Sequence, residues 1–390
     1  MPNNWKTYKL GELGDIKGGK RLPKGEALVT TKTKHPYIRV TDMGTRTIPI
    51  EKLQYVPNDV FPKISRYIVN KNDLILSIVG TVGSVSIIDE KLDNASLTEN
   101  CVKITNLKNI DSEYLYYFLI SDIGQFEIVK GIVGSTQPKL PIYNINNLDI
   151  SLPSSIQEQK SIASILSAID DKIENNLAIN KTLEEMAMAL YKHWFVDFGP
   201  FQDGEFVESE LGRIPKGWEI GKLEDLLEIK YGKDHKKLEE GNIPVYGSGG
   251  IMRYVNESLY DKESILIPRK GTLSNLFYVS QPFWSVDTMF YSKIKDKCFG
   301  KYIFYFLKSV DLASMDVGSA VPSLTTELLK RIEIIIPPKN IVNEFDEIMN
   351  SKFNNIESNI RENQTLTQLR DTLLPKLISG EVRLKEFQES

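Results

Sequence analysis

Two stretches of the chain place apolar residues at steps of three and four. The first runs Ile162, Leu166, Ile169, Ile173, Leu177, Asn180, Leu183, Ala187, Leu190 and Trp194, with Asn180 in an otherwise apolar series. The second runs Val342, Phe345, Met349, Phe353, Ile356, Ile360, Asn363, Leu366, Leu369, Leu373 and Leu377, again with one asparagine. Each spacing predicts a long amphipathic helix. Ser155 and Glu158 form a capping box for the first, and Asn340, after Pro337-Pro338, is the expected N-cap of the second. Ser379-Gly380 is a stop signal, and Pro375 is expected to bend or fray the last turn before it. A helix of about forty residues is ~60 Å long, too long for a compact core, so the stripes are expected to pack helix on helix. The expected pairing positions are Ile169, Ile173, Leu177, Asn180 and Leu183 on one helix and Ile356, Ile360, Asn363, Leu366 and Leu373 on the other. Asn180 and Asn363 either fix the register of that pairing or sit at its partly exposed rim.

Outside these stretches the apolar runs are short and β-branched. Ile75–Ile78, Val85–Ile88, Ile265–Ile267 and Ile332–Ile336 lie between Gly, Pro, Asn and Asp and predict strands. Tyr114–Ile120 and Tyr302–Val310 predict short helices, so the class is mixed α/β.

The order of these signals repeats. Trp5, Ile16 and Lys20 are matched by Trp218, Ile229 and Lys233 at a constant offset of 213. Asp73-Leu74-Ile75-Leu76 with Gly80-Thr81 is matched by Ser264-Ile265-Leu266-Ile267 with Gly271-Thr272. Tyr114 and Tyr117-Phe118-Leu119 are matched by Tyr302 and Tyr305-Phe306-Leu307, and Gly134-Ser135, Pro138 and Leu140 by Gly318-Ser319, Pro322 and Leu324. Four matches in one order make a tandem duplication. Its parts are expected at 1–152, 153–200, 201–336 and 337–390: an α/β domain and a helix, twice.

With 390 residues, 41% hydrophobic and 26% charged, the chain has the composition of a folded protein of about two domains. No apolar run suggests a membrane span or a secretory leader, and Cys101 and Cys298 are too few for a disulfide framework. Buried reduced thiols in a cytoplasmic protein are the expectation. The net charge of −4 hides a basic start, with nine Lys and Arg against three Asp and Glu in residues 1–40. A local phosphate-binding surface is therefore compatible with an acidic total.

The signatures of catalysis are incomplete. Gly14 to Gly19-Lys20 approaches a phosphate-binding loop, but Arg21 stands where a Ser or Thr would hold magnesium. Asp197-Phe198-Gly199 copies a kinase triplet without the loops that accompany it, and reads as a helix end. His35, His193 and His235 form no paired-His motif, and the Asn/Asp-Pro-Pro-Tyr of base methyltransferases is missing. What repeats is positive charge among glycines. Lys17, Lys20, Arg21 and Lys24 surround Gly18-Gly19, and Lys230, Lys233, Lys236 and Lys237 surround Gly232, with Arg269 and Lys270 beside Gly271. Glycine admits close backbone approach and the cations neutralise phosphate, so these ten residues are candidate nucleic-acid phosphate contacts, with ordinary solvated turns as the alternative for each one singly.

The run Leu152-Pro153, Gln157-Glu158-Gln159-Lys160, Asp170-Asp171-Lys172-Ile173, Asn176, Asn180, Leu183-Glu184 and Trp194-Phe195, together with Leu369-Arg370-Asp371 and Leu373 to Val382, resembles the DNA-specificity subunits of type I restriction-modification systems, the HsdS family. Trp5 with Leu10-Gly11-Glu12, and Pro215-Lys216-Gly217-Trp218, resemble the starts of that family's two target-recognition domains. Pro338 to Asn343 departs from the pattern by lacking the Glu-Gln pair found at Glu158-Gln159. The resemblance implies two α/β target-recognition domains joined by two long antiparallel helices, in a pseudo-twofold duplication. It implies no catalysis by this chain, which would read a bipartite, asymmetric site in double-stranded DNA. Two methyltransferase subunits and a restriction translocase would be the partners, and S-adenosylmethionine, ATP and magnesium would reside on them. Half-sites about one DNA turn apart (~34–36 Å) are expected. A self-contained nuclease or methyltransferase, and a protein-binding coiled-coil scaffold, are the competing classes.

Overall fold

The computed structural model describes residues 4–315 and 323–384. Gly318-Ser319 and Pro322, part of the last repeat match, lie outside the described residues. The chain divides into two compact units, residues 1–176 with 361–390, and residues 177–360. The division falls inside both long helices, Ile156–Phe195 and Lys339–Ser379.

The first unit contains a four-stranded antiparallel sheet ordered Asp15–Gly18, Cys101–Thr105, Leu74–Ser77, Val85–Ile87. A three-stranded sheet, Gln54–Tyr55, Pro36–Ile38 and Ser96–Leu97, stands beside it, and Trp5–Lys9 pairs with Asp149–Pro153. The second unit repeats these three sheets strand for strand. Its four strands are Leu227–Tyr231, Met289–Ile294, Ser264–Pro268 and Phe277–Val279. Its three are Gly250–Val255, Ile243–Gly247 and Trp284–Ser285, and Glu219–Lys222 pairs with Glu333–Ile336. A hairpin, Phe206–Ser209 with Gly212–Pro215, is added ahead of it.

The repeated aromatics explain why both copies fold alike. Tyr114 and Tyr302, in the helices Ser112–Ile120 and Gly300–Ser309, are buried, and each hydroxyl donates to the strand that leads into the following long helix: Tyr114 to Ser151 O at 3.0 Å, Tyr302 to Ile335 O. Burial raises both phenols far above their ordinary range, so these hydroxyls remain donors. Tyr117 reaches the first long helix itself, donating to Asp170 Oδ2 at 2.7 Å, and Arg370 from the second long helix grips the other oxygen at 3.0 Å.

Within each unit the two long helices run antiparallel. In the first, Ile162, Ala163 and Leu166 share a core with Leu374, Leu377 and Ile378. In the second, Tyr191, Trp194 and Phe195 close on Phe345, whose ring lies 5.9 Å from Trp194 and 4.9 Å from Phe195. Toward the middle of each long helix the seam turns polar. Asn176 Nδ2 donates to Asn363 Oδ1 at 2.8 Å and Asn363 Nδ2 to Ile173 O at 3.3 Å in the first unit. The same bonds recur 183 residues on in the second, Asn359 to Asn180 Oδ1 at 2.8 Å and Asn180 to Ile356 O at 3.5 Å. Asn180 and Asn363 are thus seam residues that bond across it.

Four expectations need correction. Leu177 and Ile360 are 57% and 47% exposed and do not pair the helices. Asn176 and Asn359, one position earlier and so rotated by about 100°, take their places in the seam. Ile169 is buried, and Ile173, Leu183, Ile356, Leu366 and Leu373 are half-buried. Asn340 lies inside the first turn of the second helix, which already begins at Lys339, and is not its N-cap. Pro375 does not fray the last turn: the helix continues to Ser379 despite the bond a proline removes, and Gly380 at φ 72° terminates it. Of the capping box, Ser155 Oγ accepts from Glu158 N at 3.4 Å, but the Glu158 carboxylate goes to Arg383 at 3.1 Å and Asn4 at 3.2 Å.

Candidate nucleic-acid interface

Antiparallel pairing brings alternate strand ends to one edge. In the first unit, Gly18, Cys101 and Ser77 therefore lie at the same end of the four-stranded sheet. Gly19 N donates to Cys101 O at 3.0 Å and Lys20 N to Leu97 O at 2.8 Å, while Ile78 N donates to Asn100 O at 2.8 Å. In the second unit Gly232 N donates to Met289 O at 2.9 Å, Lys233 N to Ser285 O at 2.8 Å, and Arg269 N to Thr288 O at 2.9 Å. The glycines are structural requirements here. A Cβ on Gly19 would overlap the Thr98 carbonyl, and one on Gly232 the Val286 carbonyl. The Gly-Lys step is therefore laid against the neighbouring loop in both units, and the lysine that follows is turned out to solvent: Lys20 and Lys233 are both exposed.

The ten candidate cations separate by what already holds them. Lys17 lies 3.1 Å from Asp15 and Lys230 3.0 Å from Glu228, the same intrastrand pair in both copies. Hydrogen bonds from Asn106 and Lys17 hold the Asp15 carboxyl below its ordinary range, and Lys230 does the same to Glu228. These two lysines are committed locally. Arg21 Nε donates to Glu99 at 2.6 Å with its side chain 79% exposed, leaving the outer guanidinium face open. Arg269 lies 5.5 Å from the Tyr231 ring and donates to Asp287 O at 3.4 Å. Lys20 rests 5.7 Å from the Tyr67 ring. Lys24, Lys233, Lys236, Lys237 and Lys270 are exposed with no ion-pair partner among the described residues. Lys20 with Arg21, adjacent on one segment, and Lys233 with Arg269 and Lys270, from two segments, thus stand at equivalent sheet ends.

Among the described residues the sequence's near-motifs do not gather into a catalytic set. Residues Asp15–Gly18 are themselves a strand, so the Gly14–Lys20 run is not the strand-to-helix loop that cradles a nucleotide phosphate. Asp197-Phe198-Gly199 follows the end of the first long helix at Phe195, with Phe198 at φ 52° and the His193 ring against Gly199. No group of three His, Cys, Asp or Glu that could hold a metal occurs among the described residues. Cys101 and Cys298 are free and buried, and among the described residues no helix is long and apolar enough to cross a membrane.

Arg46 was not legible as a positioning residue. Its side chain, 11% exposed, leaves the loop over Val85–Ile87 to meet Glu113 at 3.4 Å and Asp171 on the first long helix. Burial raises the Glu113 carboxyl above its ordinary range despite Arg46. Only a long-range contact reveals this clamp, and no local pattern marks it.

The chain is similar along nearly its whole length to known proteins. A family model described as the type I restriction modification DNA specificity domain matches twice, at residues 2–185 and 215–368. The MjaIX specificity subunit of Methanocaldococcus jannaschii, a type I restriction enzyme subunit, is 28% identical over 99% of this chain and 95% of its own. The HindI specificity subunit of Haemophilus influenzae is 26% identical over 82% and 89% respectively. Among solved structures, the type I restriction-modification S subunit from M. genitalium has the same fold, with a TM-score of 0.63 at 22% identity over 97% of each chain. The two family matches start near Trp5 and just before Trp218, as the duplication requires. The chain belongs to the type I restriction-modification DNA specificity family.

Proposed function

We propose that this chain is the non-catalytic, sequence-reading subunit of a type I restriction-modification complex. In this reading the α/β part of each unit meets one half of a split DNA site, and methyltransferase subunits dock on the paired helices. One observation carries it: cations stand at the same end of two equivalent sheets, on one segment in the first unit (Lys20, Arg21) and on two in the second (Lys233, and Arg269 with Lys270). Two copies of one frame with different side chains at that end suit an asymmetric site, and two copies of one helix pair suit two copies of one partner. The functional division is recognition by 1–152 and 201–336, and spacing by 153–200 and 337–390. S-adenosylmethionine, ATP and magnesium belong, on this account, to the partner subunits.

The test uses the complex reconstituted with its methyltransferase subunits. Lys20→Ala with Arg21→Ala is expected to weaken retention of target duplex, with a shallower salt dependence, while co-elution with the partners is unchanged. Undiminished affinity at moderate salt contradicts the assignment. DNA cleavage or methylation by the chain alone would favour an enzyme instead.

A further inference from the structure

The turn after Leu74–Ser77 and its counterpart after Ser264–Pro268 are each met by a second segment through a single antiparallel bridge. Val79 pairs with Lys139 in the first unit, and Lys270 with Ser323 in the second. The frames agree closely: Leu140 N donates to Ile78 O at 3.0 Å and Leu324 N to Arg269 O at 3.0 Å. Gly80 at φ 82° and Gly271 at φ 89° make the same left-handed corner. What differs is the strand that carries the charge. The second unit places Arg269 and Lys270 on the turn with a serine opposite. The first places Ile78 and Val79 on the turn, and Lys139 opposite.

Lys139 is exposed and its ammonium has no ion-pair partner among the described residues. Its backbone is fixed on the other side as well, accepting from Val133 N at 2.8 Å and donating to Val133 O at 2.9 Å. A lysine tied down by its main chain, yet neutralised by nothing, stands at the sheet end that already presents Lys20.

We propose that Lys139 is a DNA phosphate contact of the first unit, taking the part that Lys270 takes in the second from the opposite side of the same bridge. This rests on the DNA-reading function proposed above. An ammonium is a compact point charge without the planar fork that reads guanine, so its ligand is backbone phosphate. Moving the charge across a bridge displaces it by about 5 Å, the distance between paired strands. That is between one and two nucleotide steps along a DNA strand (~3.4 Å of axis each). The same protein frame then sits in a different register on the backbone, and phosphate contacts set register while base contacts specify.

The experiment compares three variants in the full complex with methyltransferase subunits, across a series of potassium chloride concentrations. The probes are a duplex carrying the mapped target and an unrelated duplex of equal length. Lys139→Ala is expected to weaken both duplexes by about 3- to 10-fold and to lower the slope of log affinity against log salt by about 0.9. Val79→Lys with Lys139→Ser, which recreates the second unit's arrangement, is expected to restore the slope. An unchanged slope and affinity in Lys139→Ala, while Lys20→Ala with Arg21→Ala loses binding, overturns the contact and leaves the DNA-reading function standing. Failure of the exchanged pair to restore the slope overturns the equivalence with Lys270. If neither Lys139→Ala nor the Lys20 and Arg21 variant alters binding, the sheet end is not the reading surface and both proposals fall. Co-elution with the partners controls for folding.

Discussion

Asn176 and Asn359 are duplicates of one another, yet their truncation should not cost the same. Asn176 is fully buried, and its Nδ2 donates both to Asn363 Oδ1 and to the Glu362 carboxylate, each at 2.8 Å. Asn359 makes the matching bond to Asn180 at 2.8 Å, but the position corresponding to Glu362 is Ile179, which is 41% exposed and accepts nothing from it. A hydrogen bond between neutral groups contributes about 1 kcal/mol, and one to a charged group about 1.5–3 kcal/mol. Asn359→Ala should therefore cost about 1 kcal/mol, and Asn176→Ala should cost more, since it also loses the bond to Glu362, whose exposed carboxylate is partly screened by water. Asn176→Ala combined with Asn363→Ala should cost less than the sum by about 1 kcal/mol, because the two single changes remove one shared bond. Urea denaturation followed by circular dichroism gives the totals, and hydrogen exchange of peptides covering 165–178 and 358–370 gives the local opening energies. Equal losses at Asn176 and Asn359, or strict additivity of Asn176 with Asn363, would refute a seam built on these paired amides.

Other outcomes follow from the same contacts. Leu177→Asp should change stability by no more than about 0.5 kcal/mol, as an exposed substitution, whereas Ala187→Asp, with Ala187 fully buried in the helix seam, should unfold the second unit; thermal melts decide. Tyr117→Phe leaves Asp170 to Arg370 alone and should cost about 1.5–3 kcal/mol in urea. Burial pushes the Cys101 thiol up to about 12 and the Cys298 thiol up to about 11, so neither should react with Ellman's reagent at pH 8 until the chain is denatured. An unfolded thiol ionises near 9.0. The folded protein holds its thiol protons more tightly, so this contribution to stability is complete below pH 9 and is lost as pH rises toward 11–12. Rapid labelling of the native protein at pH 8 would contradict the burial.

Repetition makes most of the architecture legible from the sequence alone. Fixed offsets joined Trp5 to Trp218 and Tyr114 to Tyr302, and the paired elements have equivalent topology. Period alone could not place the seam, because apolar character and helix phase disagreed near the middle. Leu177 and Ile360 are the greasier neighbours, while Asn176 and Asn359 hold the inward phase, since a bonded amide can be buried where an unpaired one cannot. The one signal available was the duplication of the Asn-x-x-x-Asn spacing, Asn176 to Asn180 and Asn359 to Asn363. At the sheet ends, the glycine-flanked lysines pointed to Lys20 and Lys233. Composition could not separate them from Lys17 and Lys230, whose ion pairs depend on strand geometry. Lys139 lies between the repeated Pro138 and Leu140, but the charge it presents is placed by a bridge to Val79, sixty residues away in sequence, which no local pattern marks.

Mapping methylated adenines in DNA from cells expressing the complete system, with the unaltered chain and with Lys20→Ala plus Arg21→Ala, tests the central claim most directly. A split motif with two unlike halves is expected, and the paired substitution should relax or abolish the half read by the first unit without redefining the other. A continuous motif, two identical halves, or an undisturbed map in the variant would contradict a chain that reads DNA through the matching ends of two unlike sheets.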